Sequence, residues 1–467
     1  MKKTIIISKW LLMLICLCII HTQVNAQYTS TYNNVTYQST QPYNLNVIYF
    51  VPNDVPLDPT YKVRLSTQLF WAQNFYRQNM IANGFGPKTF GLFTEATNPT
   101  NVKIILIHGT KSASSYPYNN TGNNVLQEVN TFFNSNPNQK TSARSLIFTA
   151  GKNAYADVAF YGLGLNCFAI DYPGFDVQYL SSTGTGADKF RSLFGGMLHE
   201  LGHGLGLPHS HQTNTENTTP TKGMNLMFYE NGTLGVSPTF INRAGCAILN
   251  NSELFATTSG TVYRNGNTTN LKNIKTSFSN GSLNVSGTFE SNRTVNEVNI
   301  YQDSYATPSQ GYYKVAWSVK PVGNSFSIAM PVNELQTKSG PYNLQIELVL
   351  NNEENSFQYF PFNYNNGIPD IEKSTFVGGS LSLTTDLTGK SYQWQYKTSS
   401  GSWQNFTEGT SPGYANFTGT KTNTLNISNV SSIYVNNPDT ARVVVTLANG
   451  LTEALSEILK YGTYMEV

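Results

Sequence analysis

His199-Glu200-Leu201-Gly202-His203-Gly204-Leu205-Gly206-Leu207-Pro208-His209 gathers three of the six histidines in a chain of 467 residues. On a helix, His199 and His203 stand about one turn apart, so both imidazoles project from one face and can grip one cation. Glu200 lies beside them, able to reach a water on that cation without being a ligand. Gly206 can adopt φ > 0 and end the helix, turning the chain so that His209 comes round to the same ion. Three neutral imidazoles with an open fourth position describe a catalytic zinc centre and not a closed structural one. Upstream, Ala187, Phe190, Phe194, Met197 and Leu201 recur at helical spacing and give the motif a helix to sit on. Gly195 and Gly196 each weaken that helix by ~1 kcal/mol relative to Ala, which predicts a close approach of another element there.

Outward from this helix, residues 44–258 read as mixed α and β. Val47 to Val51 is a strand. Asp58-Pro59 is a helix-start signal; Leu65, Leu69, Ala72, Tyr76 and Met80 follow on one face, and Asn83-Gly84 closes the helix. Val102 to Ile107, Ser145 to Phe148 and Ala156 to Tyr161 read as further strands, with His108 ending the first of them. Val125, Val129 and Phe132 mark a second amphipathic helix, and a final one runs from Phe240 to Leu249. From about Gly260 the period becomes two, as in Tyr313/Val315/Trp317/Val319, Phe326/Ile328/Met330 and Leu344/Ile346/Leu348/Leu350, which predicts a β-sandwich over 259–366. Asn366-Gly367-Ile368-Pro369 reads as a linker. A second all-β unit fills 370–467, with Tyr392/Trp394/Tyr396, Leu425/Ile427 and Val443/Val445 as its clearest strands.

Lys2 and Lys3 precede an apolar run from Trp10 to Ile20, too short for a bilayer span of ~20 residues but suited to a signal peptide. Val24-Asn25-Ala26 offers small residues for cleavage after Ala26, so residues 1–26 are expected to be removed and the protein to be secreted. Ile15 and Leu17 are too large to make Cys16 or Cys18 a good lipid-anchor site. No later stretch is long enough to cross a membrane. Residues 27–43 read as a polar N-terminal arm. Of the cysteines only Cys167 and Cys246 then remain, and a disulfide between them and two buried thiols are both open. The chain has 39% hydrophobic and 12% charged residues, the balance of a globular protein. Its 29 basic and 27 acidic residues give +2; without Lys2, Lys3 and Lys9 the count is 26 against 27, or −1. Such a balance excludes steering toward nucleic acid or an anionic membrane.

His-Glu-x-x-His-x-x-Gly-x-x-His resembles the long zinc signature of the metzincin metallopeptidases, a clan that also carries a downstream Met-turn. Gly223-Met224-Asn225-Leu226-Met227-Phe228-Tyr229 supplies one. The resemblance, over about Asn44 to Phe255, implies that His199, His203 and His209 hold one catalytic Zn²⁺ and that Met227 (Met224 being the alternative) forms the floor beneath them. It implies that Tyr229 touches the metal or the transition-state oxyanion, with plain packing as its other reading. The Asn-x-Met-x-Tyr order looks most like the cytophagalysin/pappalysin group, whose cysteine pattern around the Met-turn is absent here. Tyr392-Gln393-Trp394-Gln395, followed by Thr424-Leu425-Asn426-Ile427, resembles a bacterial immunoglobulin-like domain without its inter-sheet cysteines. That resemblance implies a stalk or a binding module. The expected architecture is therefore an α+β metzincin-like catalytic domain followed by two all-β sandwich domains, the last Ig-like.

The function expected from these readings is a secreted zinc endopeptidase acting on protein or peptide substrates. Glu200 takes a proton from the attacking water and delivers it to the leaving amine. The peptide would lie extended along an edge strand at Ala156 to Gly162. Gln27 to Tyr43 contains no Cys, Asp or Glu that could block the metal. His211, two residues past the third ligand, reads as a surface or supporting residue, with an alternative ligand as its other reading. The competing reading is a cell-surface binding or adhesion protein with a vestigial zinc site, against which all three ligands and Glu200 stand. Glycan or cell-surface contact and simple spacing are both open for the β-domains. No calcium-loop pattern occurs, and calcium is left unassigned.

Overall fold

The computed structural model describes residues 27–117, 121–151, 160–172, 174–228, 234–304, 311–370, 379–385, 388–398, 400–431, 440–448, 450 and 452–458. The expected signal peptide (1–26), most of the expected strand from Ala156, and Tyr229 lie outside the described residues. The expected N-terminal arm is a β-hairpin: Tyr28–Tyr32 (β1) pairs antiparallel with Val35–Ser39 (β2). Asn33 and Asn34 make its turn at φ 49° and 60°, the left-handed pair that a two-residue hairpin requires.

The first large sheet begins with Asn46–Val51 (β3), followed by the helix Tyr61–Ala82 (α1). Thr94–Glu95 (β4) extends the hairpin beside β2. Ile104–His108 (β5), the helix Thr121–Ser135 (α2), Ser145–Ala150 (β6), Gly162–Leu163 (β7) and Asn166–Asp171 (β8) follow. The sheet order is β5-β3-β6-β8-β7, parallel except for the edge strand β7. Both faces of β3 and β6 are apolar, so both are covered. Val47, Tyr49, Leu146 and Phe148 join the core formed by α1 and the motif-bearing helix Thr185–Gly204 (α3). Ile48, Phe50, Ile105 and Ile147 pack with Val125, Val129 and Phe133 of α2.

The helix-start signal is displaced by two residues. α1 begins after Thr60, and the Asp58 carboxylate accepts from the Thr60 N–H (2.8 Å) and pairs with Arg64 (2.6 Å). Arg64 is buried and reaches both oxygens of Asp171 at the end of β8 (2.6 and 3.0 Å) and the Phe175 carbonyl (2.8 Å). Tyr49 donates to the same Asp171 carboxylate at 2.8 Å. This network fixes the segment after β8, whose Phe175 packs on Phe190 and Phe194 of α3. Gly196 faces the Phe160 ring so closely that a Cβ there would overlap it, the close approach expected at that glycine.

After α3 come a single-turn helix, Asn214–Thr218 (α4), the parallel pair Met224–Asn225 (β9) and Thr239–Phe240 (β10), and Arg243–Asn250 (α5). The expected final helix thus starts three residues late, with the Asn242 side chain capping the Gly245 N–H at 2.9 Å. The open question of a disulfide resolves against it: Cys167 and Cys246 are both free and buried. The Cys167 thiol donates to the Ser145 carbonyl inside the sheet (3.3 Å), whereas Cys246 sits on α5 against Asn79 and Asn83 of the α1 end. Each thiol has its own packed contact.

A β-sandwich follows, made of Thr269–Ser279 (β11), Ser282–Ser291 (β12), Val295–Ser304 (β13), Val315–Val319 (β14), Ser325–Pro331 (β15), Gly340–Leu350 (β16), Asn355–Asn365 (β17) and Ile368–Asp370 (β18). Its sheets run β11-β12-β15 and β14-β13-β16-β17-β18 around Leu283, Val285, Val298, Ile300, Leu344, Ile346 and Leu348. The expected linker at Asn366–Pro369 is instead a hairpin: Asn366 and Gly367 turn at φ 49° and 83°, and Ile368 pairs back onto Asn365. Pro369 is tolerated because β18 is an edge strand. The outer face of the larger sheet packs on α5 through Arg243–Glu297 (2.8 Å) and Asn299 donating to the Ala244 carbonyl (3.2 Å), and Val349 enters the core of the first unit.

The last unit comprises Leu381–Thr384 (β19), Ser391–Lys397 (β20), Trp403–Asn405 (β21), Gly409–Ser411 (β22), Ala415–Thr418 (β23), Thr424–Ser428 (β24), Thr440–Thr446 (β25) and Thr452–Ile458 (β26). Two four-stranded sheets, β19-β24-β23-β22 and β21-β20-β25-β26, enclose Trp394, whose indole N–H donates to the Thr422 carbonyl at 3.0 Å. Among the described residues no helix is long and apolar enough to cross a membrane.

Candidate metal centre

The end of α3 builds the site. Gly206 takes φ 92°, its N–H donates to His203 O (2.8 Å), and the Leu207 N–H donates to Gly202 O (2.9 Å). These two bonds form a Schellman motif, and Gly206 supplies its left-handed residue without a Cβ clash. The chain reverses there and His209 returns to the helix. The ligand atoms of His199, His203 and His209 all lie within 4.8 Å of one another, with Nε2 of His203 and His209 3.0 Å apart. Zinc at ~2.0–2.1 Å from each nitrogen of a tetrahedral site separates them by about 3.4 Å, so this all-imidazole set fits the ion.

Backbone carbonyls fix two of the rings. His199 Nδ1–H donates to Leu226 O at 2.8 Å and His203 Nδ1–H to Leu207 O at 2.9 Å, which leaves each Nε2 lone pair facing the other histidines. Burial pushes His199 down to about 3, with the neighbouring His203 adding to the shift and Leu226 opposing it. Burial lowers His203 as well. Both are therefore held in the neutral form that binds a metal. Gly202 lies against Met227: a Cβ there would sit 2.5 Å from its sulfur.

Glu200 sits beside the triad. Burial pushes its carboxyl up to about 7, opposed by a hydrogen bond from the Gly162 N–H at the start of β7. For the metal-free protein this has a defined sign. Below the unfolded value of ~4.3 both states are protonated and Glu200 has no effect; as pH rises from there to about 7 the unfolded state ionises while the buried group keeps its proton, so stability falls over that window and levels off above it. Metal-free Glu200→Gln is therefore expected to be more stable than metal-free wild type at pH 8, by on the order of 3 kcal/mol, and no more stable at pH 4. Thermal unfolding of both proteins at the two pH values checks this; an equal difference at both would reject the ionisation argument.

Of its two expected places, His211 takes the supporting one and not the surface one. It is buried, donates its N–H to Lys314 O (2.7 Å), and packs edge-on against Phe228. Lys314 belongs to the first β-sandwich, which also contributes a residue absent from the sequence reading. Tyr312 stacks on His209 with ring centroids 3.6 Å apart and 23° between planes. The strand expected from Tyr313 begins only at Val315, and 311–313 form a turn that lays Tyr312 on His209 and Tyr313 beside His211 and Phe228. No local pattern marks Tyr312 among 28 tyrosines. Arg144 closes the far side: it donates to the Gly204 carbonyl at the end of α3 and pairs with Glu353 of the β16–β17 turn at 2.7 Å.

No known family model matches the sequence, and no curated protein does. Among solved structures the chain is similar to wild-type OgpA from Akkermansia muciniphila, at 33% identity over 69% of this chain and 94% of that one, with a TM-score of 0.65. The catalytically inactive OgpA, crystallised with an O-glycopeptide (glycodrosocin) substrate, matches at 32% identity over 69% of this chain and 93% of that one, with the same TM-score of 0.65.

Proposed function

The chain belongs to the family of the Akkermansia muciniphila enzyme OgpA, and from that premise we propose that it is an exported zinc-dependent endopeptidase of metzincin type acting on O-glycosylated peptides. The observation that carries this reading is the convergence of His199, His203 and His209 beside Glu200. A zinc ion held by the three imidazoles would polarise the scissile carbonyl and acidify the attacking water. Glu200 accepts the proton of that water and hands it to the leaving amine, the Gly162 N–H keeping its carboxylate in place. A carboxyl raised toward neutrality suits both halves of that transfer. The edge strand β7 offers backbone groups along which an extended peptide can pair. Met227 is assigned the floor of the site and Tyr229 a contact to the oxyanion. The substrate class rests on the O-glycopeptide bound by OgpA. The terminal sandwich is assigned an Ig-like accessory role.

The test is a matched pair: one peptide carrying a Ser- or Thr-linked glycan and the same peptide without it, each incubated with and without a chelator. The glycopeptide is expected to be cut, the chelator to stop cleavage, and the bare peptide to be cut at least about tenfold more slowly. Equal cleavage of both peptides would remove the glycan requirement. An intact glycopeptide with zinc-loaded protein would overturn the peptidase reading.

A further inference from the structure

The three histidines are not held alike. His199 and His203 ride on α3, whose backbone is fixed by its own hydrogen bonds and by the sheet beneath it. His209 lies beyond the helix cap, in a stretch with neither helix nor strand. A ligand on such a segment is only as well placed as whatever packs on it. Here the packing comes from the first β-sandwich. Tyr312 covers the His209 ring face to face at 3.6 Å and lies nearly parallel to His199 as well, at 6.3 Å and 24°. The residues after Tyr312 are themselves anchored. Tyr313 packs on Phe228, and the Lys314 carbonyl receives the His211 N–H at 2.7 Å. The Lys314 ammonium donates to Gln345 (3.2 Å) above Tyr301, whose hydroxyl donates to the buried Glu347 (2.5 Å).

We propose that Tyr312 is a positioning residue for the metal centre: its ring clamps the His209 imidazole, so that a segment of the first β-sandwich sets the affinity of the site for its metal. The clamp works through the face of the ring and not through the hydroxyl. It rests on the reading of His199, His203 and His209 as a metal centre. Supporting groups of this kind typically change metal affinity by about 10- to 100-fold when removed.

The experiment uses the full-length protein, stripped of metal and titrated with Zn²⁺ against a chromophoric chelator, together with the visible absorption spectrum after Co²⁺ loading. Tyr312→Ala is expected to weaken Zn²⁺ binding by about 10- to 100-fold and to shift the Co²⁺ bands, while Tyr312→Phe stays within about twofold of wild type. Tyr312→Leu fills similar volume without a planar face, is expected to behave as Ala does, and carries the test if the Ala variant fails to fold. Thermal unfolding of each metal-free variant separates loss of the clamp from loss of the fold. Metal-binding wild type with an equally tight Tyr312→Ala and an unchanged Co²⁺ spectrum would overturn the role of Tyr312 alone. A Phe variant as weak as the Ala variant would also overturn it, since the hydroxyl would then be the active group. Wild type that binds neither Zn²⁺ nor Co²⁺ would instead overturn the metal-centre reading beneath it.

Discussion

Glu200→Gln is expected to lower kcat/KM by about 10²- to 10⁴-fold while the protein stays folded and keeps its metal. Gln has nearly the same volume and can still accept the Gly162 N–H through its amide oxygen, so the packing around α3 is preserved. The change removes only the capacity to take up a proton and release it. Glu200 is not among the three converging ligand groups, so metal content after dialysis should equal that of wild type. Activity within tenfold of wild type would remove Glu200 from the proton-transfer role. Loss of metal together with activity would make it a ligand or a structural prop.

Arg64→Met is expected to destabilise the first unit by about 3–5 kcal/mol, the usual cost of breaking a buried ion pair from one side. The Arg64 and Asp171 side chains are 5% and 1% exposed, so water cannot take over the lost contacts. The substitution strands the Asp171 carboxylate, of whose described partners only Tyr49 remains, and it takes one donor each from the Phe175 carbonyl, which keeps Gln68, and from Asp58, which keeps Thr60. Replacing both members, as Arg64→Met with Asp171→Leu, should recover a large part of the loss, because the unpaired charge goes with it. Chemical denaturation followed at the first transition reads both effects. A single variant within 1 kcal/mol of wild type, or a double variant no better than the single, would contradict the argument.

The legible parts of this protein were those with a period. Ala187, Phe190, Phe194, Met197 and Leu201 are all buried where α3 meets the sheet, as their spacing requires. Gly206 betrayed the helix end because only a left-handed residue lets His209 return. Two turns were misread although their residues carried the signal. Asn33-Asn34 and Asn366-Gly367 both make left-handed two-residue turns, but a polar tract masked the first and Pro369 made the second resemble a linker. What pattern cannot supply is the meeting of remote segments. Nothing local in Gly311-Tyr312-Tyr313-Lys314 says that it will lie on a histidine from another unit, or that Glu353 will find Arg144. His211 could be read only as a surface or a supporting residue for the same reason, since the strand that buries it arrives a hundred positions later.

The bond from Arg144 to the Gly204 carbonyl, and from Arg144 on to Glu353, has a consequence for the order of events as the chain is made. Synthesis delivers His199, Glu200, His203 and His209 well before Tyr312 and Glu353. A nascent chain that has reached residue 258 holds every reactive group and lacks the parts that steady them. The helix end is tied and His209 covered only when the β16–β17 turn has followed, so the site reaches its described form only after the first β-sandwich has been made. For the same reason a fragment that stops at the end of the first unit lacks both Tyr312 and Glu353, whereas one that runs through Asp370, where the last strand of the supporting sheet closes, keeps them.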